Sequence, residues 1–326
     1  MQKNSILELA DYYVHNEPRR LPEIINNVSG RNSKTVVFEY EQKNYIVKEF
    51  SPKAGTDNLE REVAFYKYLK SCQIRNTPEL IAFNNEKNLI VLSFIEGNKI
   101  STIKDTDIIQ SVQFLFQINK SLHKAKGVLG KASGAIKNFL DHFTSSKDRI
   151  NHLHSCEVTS DIEREMFSFV KEKLLFKWHE LFENVGNIDS IQPSFFMPEI
   201  VSPSDFGFHN ILKREKKLYF FDFEYGGFDD RFKLFCDFLA QPDYLLKYEQ
   251  LNLFLQELQK YDFIFEEHFQ LIKTLLPFYR LKWCCIVLND FRKDKKDIRA
   301  HAKILNNNVL QYQLKKAKKL FKVYFN

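Results

Sequence analysis

Long apolar runs are missing from this 326-residue chain. No stretch approaches the roughly 18 residues that a membrane-spanning helix needs, so stable insertion into a bilayer is not expected. Paired cysteine motifs are missing as well. The five cysteines (Cys72, Cys156, Cys236, Cys284, Cys285) form an odd set with no CxxC, which argues against a disulfide framework and for reduced thiols in a cytoplasmic protein. Charge of one sign is scarce: 48 Lys and Arg against 42 Asp and Glu leave +6, too thin a surplus at this length for a nucleic-acid partner. Glycine is sparse at 10 copies, so each one is informative, and neither an internal repeat nor a low-complexity linker divides the chain. Met1 to Ser5 leads into an acidic-apolar helix rather than a signal-peptide core. What is plentiful is phenylalanine. Its 32 copies, within 44% hydrophobic and 28% charged residues, fit a globular protein with large cores or an aromatic pocket.

The first third has strand-like patterning and one strong helix. Thr35 to Tyr40 and Asn44 to Phe50 are rich in β formers around a polar hairpin turn at 41–43. Asp57 to Leu69 has helical periodicity with a capping residue at Asp57 or Asn58. Pro78 to Phe83 and Leu89 to Phe94 predict two more strands, and Gly97 breaks the pattern. Beyond it, helical periodicity runs through 105–125, 159–184, 247–260, 266–276, 278–292 and 297–323. His152, His154 and Cys156 lie in a polar linker, and a β-type island occupies 199–223. The expected organisation is two lobes, 1–95 and 96–326, with a cleft between them.

The island carries the chemistry. Asp205 and Asn210 stand five apart in SPSDFGFHNIL, the D-x-x-x-x-N spacing of a kinase catalytic loop. Asp222 follows the apolar strand YFF and opens a turn, where kinases keep a second metal-binding Asp. Phosphoryl transfer needs these types: one carboxylate for the attacking hydroxyl, and an amide and a second carboxylate as oxygen ligands for Mg²⁺. Upstream, Lys48 ends a hydrophobic strand. Glu62 shares the packed stripe of the next helix with Phe65, Tyr66 and Leu69, so a buried Lys48–Glu62 pair is expected. Ser29, Gly30 and Asn32 lie before the first hairpin, where a phosphate-covering loop belongs. His209 is assigned to loop packing, because Asp205 already fills the place of the base.

These motifs resemble those of the aminoglycoside phosphotransferase and choline kinase-like family, over roughly residues 20 to 295. DFEY at 222–225 is similar to the metal-binding motif of choline and ethanolamine kinases, and LSFIEG at 92–97 resembles the hinge of antibiotic kinases. The resemblance implies an α+β, protein-kinase-like fold with two lobes. It also implies an ATP- and Mg²⁺-dependent small-molecule kinase with adenine on the Ser93 carbonyl and the Ile95 amide. Asp205 would be its base, Asn210 and Asp222 its metal ligands, and Lys48, paired with Glu62, its phosphate contact. Asp237 resembles the helix Asp that braces the catalytic loop. One position departs from the pattern: Pro203 stands where the family has His, two residues before the base. A catalytically inactive nucleotide-binding or scaffold protein is the alternative reading. A protein kinase fits less well, since no A-P-E segment follows Asp222.

The acceptor is expected to be a small hydroxylated metabolite. Tyr225, Tyr279 and Trp283 with Glu224 offer an aromatic cage for choline. Arg280, Asn289, Asp290 and Arg292 offer donors and acceptors for a sugar or phosphosugar, which is preferred because the arginines would repel a quaternary ammonium. Pro277 is expected to open a helix. The lysine-rich carboxyl-terminal helix is expected to dock by its apolar side.

Overall fold

Alternation along the second strand settles how the amino-terminal part packs. In this computed structural model, which describes residues 2–15, 33–51, 57–186, 199–294 and 307–325, β1 (Ser33–Tyr40) and β2 (Lys43–Phe50) form a tight hairpin. Glu41 and Gln42 turn it with φ of 49° and 61°, the left-handed pair that matches strand twist. β3 (Leu80–Asn84) and β4 (Leu89–Ser93) complete an antiparallel sheet in the order β1-β2-β4-β3. Side chains alternate across it with period two. Val36, Phe38, Val47, Leu89 and Val91 pack under α1 (Gln2–His15) with Ile6, Ala10 and Val14. Phe50, Ile90 and Leu92 pack on the other face with Leu59, Val63 and Tyr66 of α2 (Asp57–Ser71). Lys48, between Val47 and Glu49, shares that α2 face.

The rest is mainly helical: α3 (Asp105–Asn119), α4 (Leu122–Ala125), α5 (Asp141–His154), α6 (Asp161–Phe169), a π-helical turn Val170–Leu175 and α7 (Phe176–Glu183). Then come α8 (Arg231–Leu239), α9 (Tyr248–Lys260), α10 (His268–Val287) and α11 (Asn307–Phe325). Short strands interrupt them. β5 (Asn98–Lys99), β7 (Ile211–Arg214) and β8 (Lys217–Phe220) make one antiparallel sheet, and β6 (Ile200–Ser202) pairs with β9 (Gly227–Asp229). These two small sheets hold the ends of the Asp205 and Asp222 loops, and the aromatic core locks them. Phe114 of α3 stacks on Phe220 at 4.0 Å, and Phe206 stacks on Phe238 of α8 at 5.3 Å.

Three helical expectations change. Residues 266–276 and 278–292 are one helix, α10, with Pro277 inside it rather than at its start. An interior proline forfeits a backbone bond; here Leu271, Ile272, Leu275, Phe278 and Tyr279, all buried, hold the helix through it. The stretch 105–125 breaks after Asn119 into α3 and α4. The polar linker around His152 and His154 belongs to the end of α5. The carboxyl-terminal helix does dock by its apolar side, with Leu314, Ala317 and Leu320 buried.

Candidate active site

A chain of buried ion pairs joins the sheet to the Asp222 loop. Lys48 Nζ lies 2.7 Å from Glu62 Oε2 and 2.8 Å from Asp222 Oδ1. Burial alone would lower the Lys48 pKa, but the carboxylates of Asp222, Glu62 and Glu224 outweigh it and hold the ammonium well above its usual range. Burial pushes Glu62 the other way, up to about 7, against the pull of Lys48. Glu62, Asp222 and Glu224 gather with one carboxylate oxygen each, all within 4.8 Å of one another. From the sequence, Glu224 is expected only as the acidic neighbour of a choline cage and not in this cluster. Its signal was available, since it lies two residues past Asp222 in the same loop.

Local sequence explains the placement of Asp222. It adopts φ of 67°, a left-handed turn that Asp tolerates better than most residues. The next residue, Phe223, stacks on Phe65 at 4.7 Å and meets Tyr66 edge-on at 5.2 Å, both on α2. The Asp222 loop is thereby pinned to the helix that carries Glu62. Gly226 completes the fit: a Cβ there would lie 2.5 Å from the Phe65 ring.

The Asp205 loop is held from its own lobe. Ser204, with φ of 65°, donates its N–H to Ser202 Oγ at 3.0 Å, and Lys233 Nζ reaches Ser204 Oγ at 3.3 Å. The carbonyl of Pro203 accepts the Asp205 N–H at 2.9 Å. Gln241 Oε1 accepts the Phe208 N–H at 2.8 Å. Asn210 Nδ2 donates to the Asp205 carbonyl at 2.9 Å, so this amide ties the two ends of the loop together. Asp237, expected to brace the loop, bonds elsewhere: Lys282 Nζ lies 2.7 Å from its Oδ2, and Trp283 Nε1 donates to its Oδ1 at 3.0 Å. Gln241 and Lys233 are the braces instead.

His209 does more than pack. Its Nε2 lies 3.0 Å from Asp205 Oδ1. Burial would raise the Asp205 pKa, but His209, Asn210 and Lys282 outweigh it and keep the carboxyl below its ordinary value. The same contact raises His209 against its own burial. Gly207 is required beside it, because a Cβ there would sit 2.7 Å from His209 Cε1 and 2.8 Å from Nδ1.

Ser93 closes β4, bonded to Glu79 through its N–H at 2.9 Å and its Oγ at 2.8 Å, and Ile95 follows in irregular backbone. Ser93 faces Tyr45 across the ladder, three residues from Lys48, or about 10 Å along the strand. Ser29, Gly30 and Asn32 lie outside the described residues. The late-helix residues divide. Trp283 meets His209, the partner of Asp205, edge-on at 6.3 Å. Tyr279 is fully buried against His142 at 2.7 Å, so it is no cage wall. Arg280 stacks over Tyr324 of α11 at 5.1 Å, and Arg292 makes two bonds to Asp294 at 3.1 and 2.9 Å.

No protein-family model and no curated protein sequence matches the chain. Solved structures do. The gentamicin complex of APH(2")-IIa superposes with a TM-score of 0.58 at 17% identity, covering 98% of this chain and 95% of that one. Spectinomycin phosphotransferase APH(9)-Ia, in complex with ADP and spectinomycin, gives 0.58 at 16% identity over 91% and 87%. Choline kinase from Cryptosporidium parvum Iowa II gives 0.54 at 13% identity over 98% and 97%. The chain has their fold. The α+β, protein-kinase-like architecture expected from the motifs is therefore the observed one. Among the described residues, no helix is long and apolar enough to cross a membrane.

Proposed function

We propose that the protein is an ATP-dependent phosphotransferase that moves the γ-phosphate to a hydroxyl of a small metabolite. The observation that carries this reading is the Lys48–Glu62–Asp222 ion chain, joined in one fold to a loop in which Asn210 ties down Asp205. Kinase-like solved structures that hold ADP, spectinomycin or gentamicin share that fold. Residues 1–95 form the nucleotide lobe, with adenine at Ser93 and Ile95, and 96–326 carry the catalytic loop and the acceptor site. The cluster around Asp222 offers oxygen ligands only, which suits a hard divalent cation. Asn210 and Asp222 would hold Mg²⁺, which when bound would neutralise phosphate charge. Lys48, kept charged by its three carboxylates, contacts the α- and β-phosphates.

Asp205 orients the acceptor hydroxyl and accepts its proton as the new O–P bond forms. The bond from the γ-phosphorus to the bridging oxygen breaks, and ADP leaves. His209 holds Oδ1 at 3.0 Å and Asn210 makes only a longer contact to Oδ2, at 3.4 Å, so the hydroxyl approaches Oδ2. Positioning dominates such a reaction, and a carboxylate held ionised below its ordinary pKa suits that role. For the acceptor, a sugar or phosphosugar is favoured over choline or ethanolamine. Tyr279 is lost to a choline cage, and Lys282 places a cation beside Asp205.

Asp205→Ala should cut transfer by about 10²- to 10⁴-fold, measured as ATP-dependent phosphorylation across a hydroxylated-metabolite panel, with ATP affinity nearly unchanged. Near wild-type turnover would remove Asp205 as the base. Asp222→Ala should weaken Mg²⁺-ATP binding more than binding of metal-free ATP; equal losses would count against its metal role.

A further inference from the structure

One cavity shares no residue with the kinase-like site. It encloses about 540 Å³ where the carboxyl ends of α2 and α3 meet the β7–β8 hairpin, a volume within the range of small-molecule pockets. Polar clasps fix its walls. Gln110 of α3 donates to the Lys216 carbonyl at 2.9 Å and accepts the Leu218 N–H at 3.1 Å. The Asn76 carbonyl, beyond the end of α2, accepts the Phe220 N–H at 2.9 Å. Tyr68 of α2 donates its hydroxyl to the Ile118 carbonyl of α3 at 2.5 Å. The cavity is thus preformed, and a ligand would not bear the cost of ordering its walls.

Its lining is cationic. Arg75, Lys120 and Lys217 stand on the wall, and no Asp or Glu does. Lys217 lies over the Tyr219 ring at 5.5 Å. Among the described residues, none of the three cations makes an ion pair. Cations near a helix end ordinarily meet its last carbonyls. At the end of α2 that work is done by others. The carbonyls of Tyr68, Leu69 and Lys70 accept the N–H groups of Cys72, Ile74 and Gln73, each at 3.0 Å, and the Ser71 carbonyl accepts Lys124 Nζ at 2.9 Å. Arg75 is left for another partner. Gln113 and Gln117 lie on the same face of α3 as Gln110, one and two turns further along, and also line the cavity. Their side-chain amides bond to no described residue.

We infer that this cavity binds a phosphate group, free or carried on a small organic molecule, at a site separate from those of ATP and the acceptor. Three cations with no carboxylate among them suit a dianion. Arg75 can grip two phosphate oxygens at once, while Lys120 and Lys217 act as point charges. The volume leaves room beyond the phosphate, where the amides of Gln113 and Gln117 can donate to and accept from hydroxyl groups. The occupant would bridge α2, which carries Glu62, and the hairpin that leads into Asp222.

Cys72, half-buried in the cavity wall, can report occupancy. The experiment uses the full chain with Cys156→Ser, the other three cysteines being buried, and with Mg²⁺-ADP at saturation to fill the nucleotide site. Labelling of Cys72 by N-ethylmaleimide, a neutral reagent, is timed against rising inorganic phosphate, glucose 6-phosphate or glucose at constant ionic strength. At least one of the two phosphates should slow labelling saturably, and glucose should not. The apparent affinity should fall about 10- to 100-fold in Arg75→Ala/Lys120→Ala, and likewise in Arg75→Gln/Lys120→Gln, which keeps side-chain length. Protection by glucose 6-phosphate at lower concentration than phosphate assigns an organic phosphate; equal protection assigns free phosphate. Protection by neither phosphate, protection that both double variants leave intact, or equal protection by glucose overturns the inference. Failure of the kinase reading looks different: Mg²⁺-ADP does not bind, while the Cys72 readout still stands.

Discussion

The two sides of the cleft are built on opposite charge plans. On the sheet side, three carboxylates surround one lysine: Glu62, Asp222 and Glu224 about Lys48. On the helical side, the lysines are paired one to one with carboxylates: Lys282 with Asp237 at 2.7 Å, and Lys233 with Asp229. One cation is shared among several carboxylates on the sheet side, and each cation has its own on the helical side.

Removing the central cation is the harshest way to break this comparison. Lys48→Met leaves Glu62, which is fully buried, and Asp222 without their shared partner. Breaking a buried pair from one side costs about 3–5 kcal/mol. Denaturant unfolding should show a loss of that size together with loss of ATP binding. Glu62→Gln should cost less, because burial already works against that charge. A Lys48→Met variant within about 1 kcal/mol of wild type would mean that the ion chain contributes little to stability.

That plan was only partly legible beforehand, and unevenly between the two sides. Asp205 and Asn210 lie in one loop, where spacing fixes their contact. Lys48, Glu62 and Asp222 were legible from motifs on a strand, a helix and a strand end, although the Lys48–Asp222 contact spans 174 residues and exists only after folding. α5 did not register as a helix because polar residues sit on its buried face. His142 and Ser146 are fully buried there beside Phe143, Ile150 and Leu153. Ser146 Oγ accepts the Trp178 indole N–H at 3.1 Å, a bond that exists only after folding. Arg280 and Arg292 were assigned to the acceptor from their helix alone. A helix sequence gives a stripe, but which neighbour covers it is decided by packing, and Tyr324 and Asp294 decided it here.

A gentler intervention sharpens the comparison at the Asp205 loop alone. Gly207→Ala introduces a Cβ within 2.8 Å of His209 and 3.1 Å of Gln241 Oε1, so the imidazole has to swing from Asp205. Transfer should fall about 10-fold, with Mg²⁺-ATP affinity held, since the sheet-side cluster is untouched. His209→Ala should give a similar loss. Adding Gly207→Ala to it should then cost little more, because both act through one contact. Fully additive losses would show that Gly207 acts on the backbone and not through His209.

The smallest effect concerns the helical side at rest. Burial, together with the like charges of Lys233 and Arg149, outweighs Asp237 and lowers the Lys282 pKa to about 8 from its usual 10.5. The folded protein therefore binds fewer protons at this site than the unfolded chain between those values. With more protons on the unfolded state, stability attributable to Lys282 rises as pH increases through that window. Below about pH 8 the cost of holding the charge is fully present. Lys282→Met removes this titration and leaves the other groups in place. The stability of wild type minus that of Lys282→Met should thus grow from pH 8 to pH 9.5, by at most about 1.4 kcal/mol per pH unit. Measured by denaturant unfolding at several pH values, a flat difference would mean that Asp237 neutralises Lys282 completely.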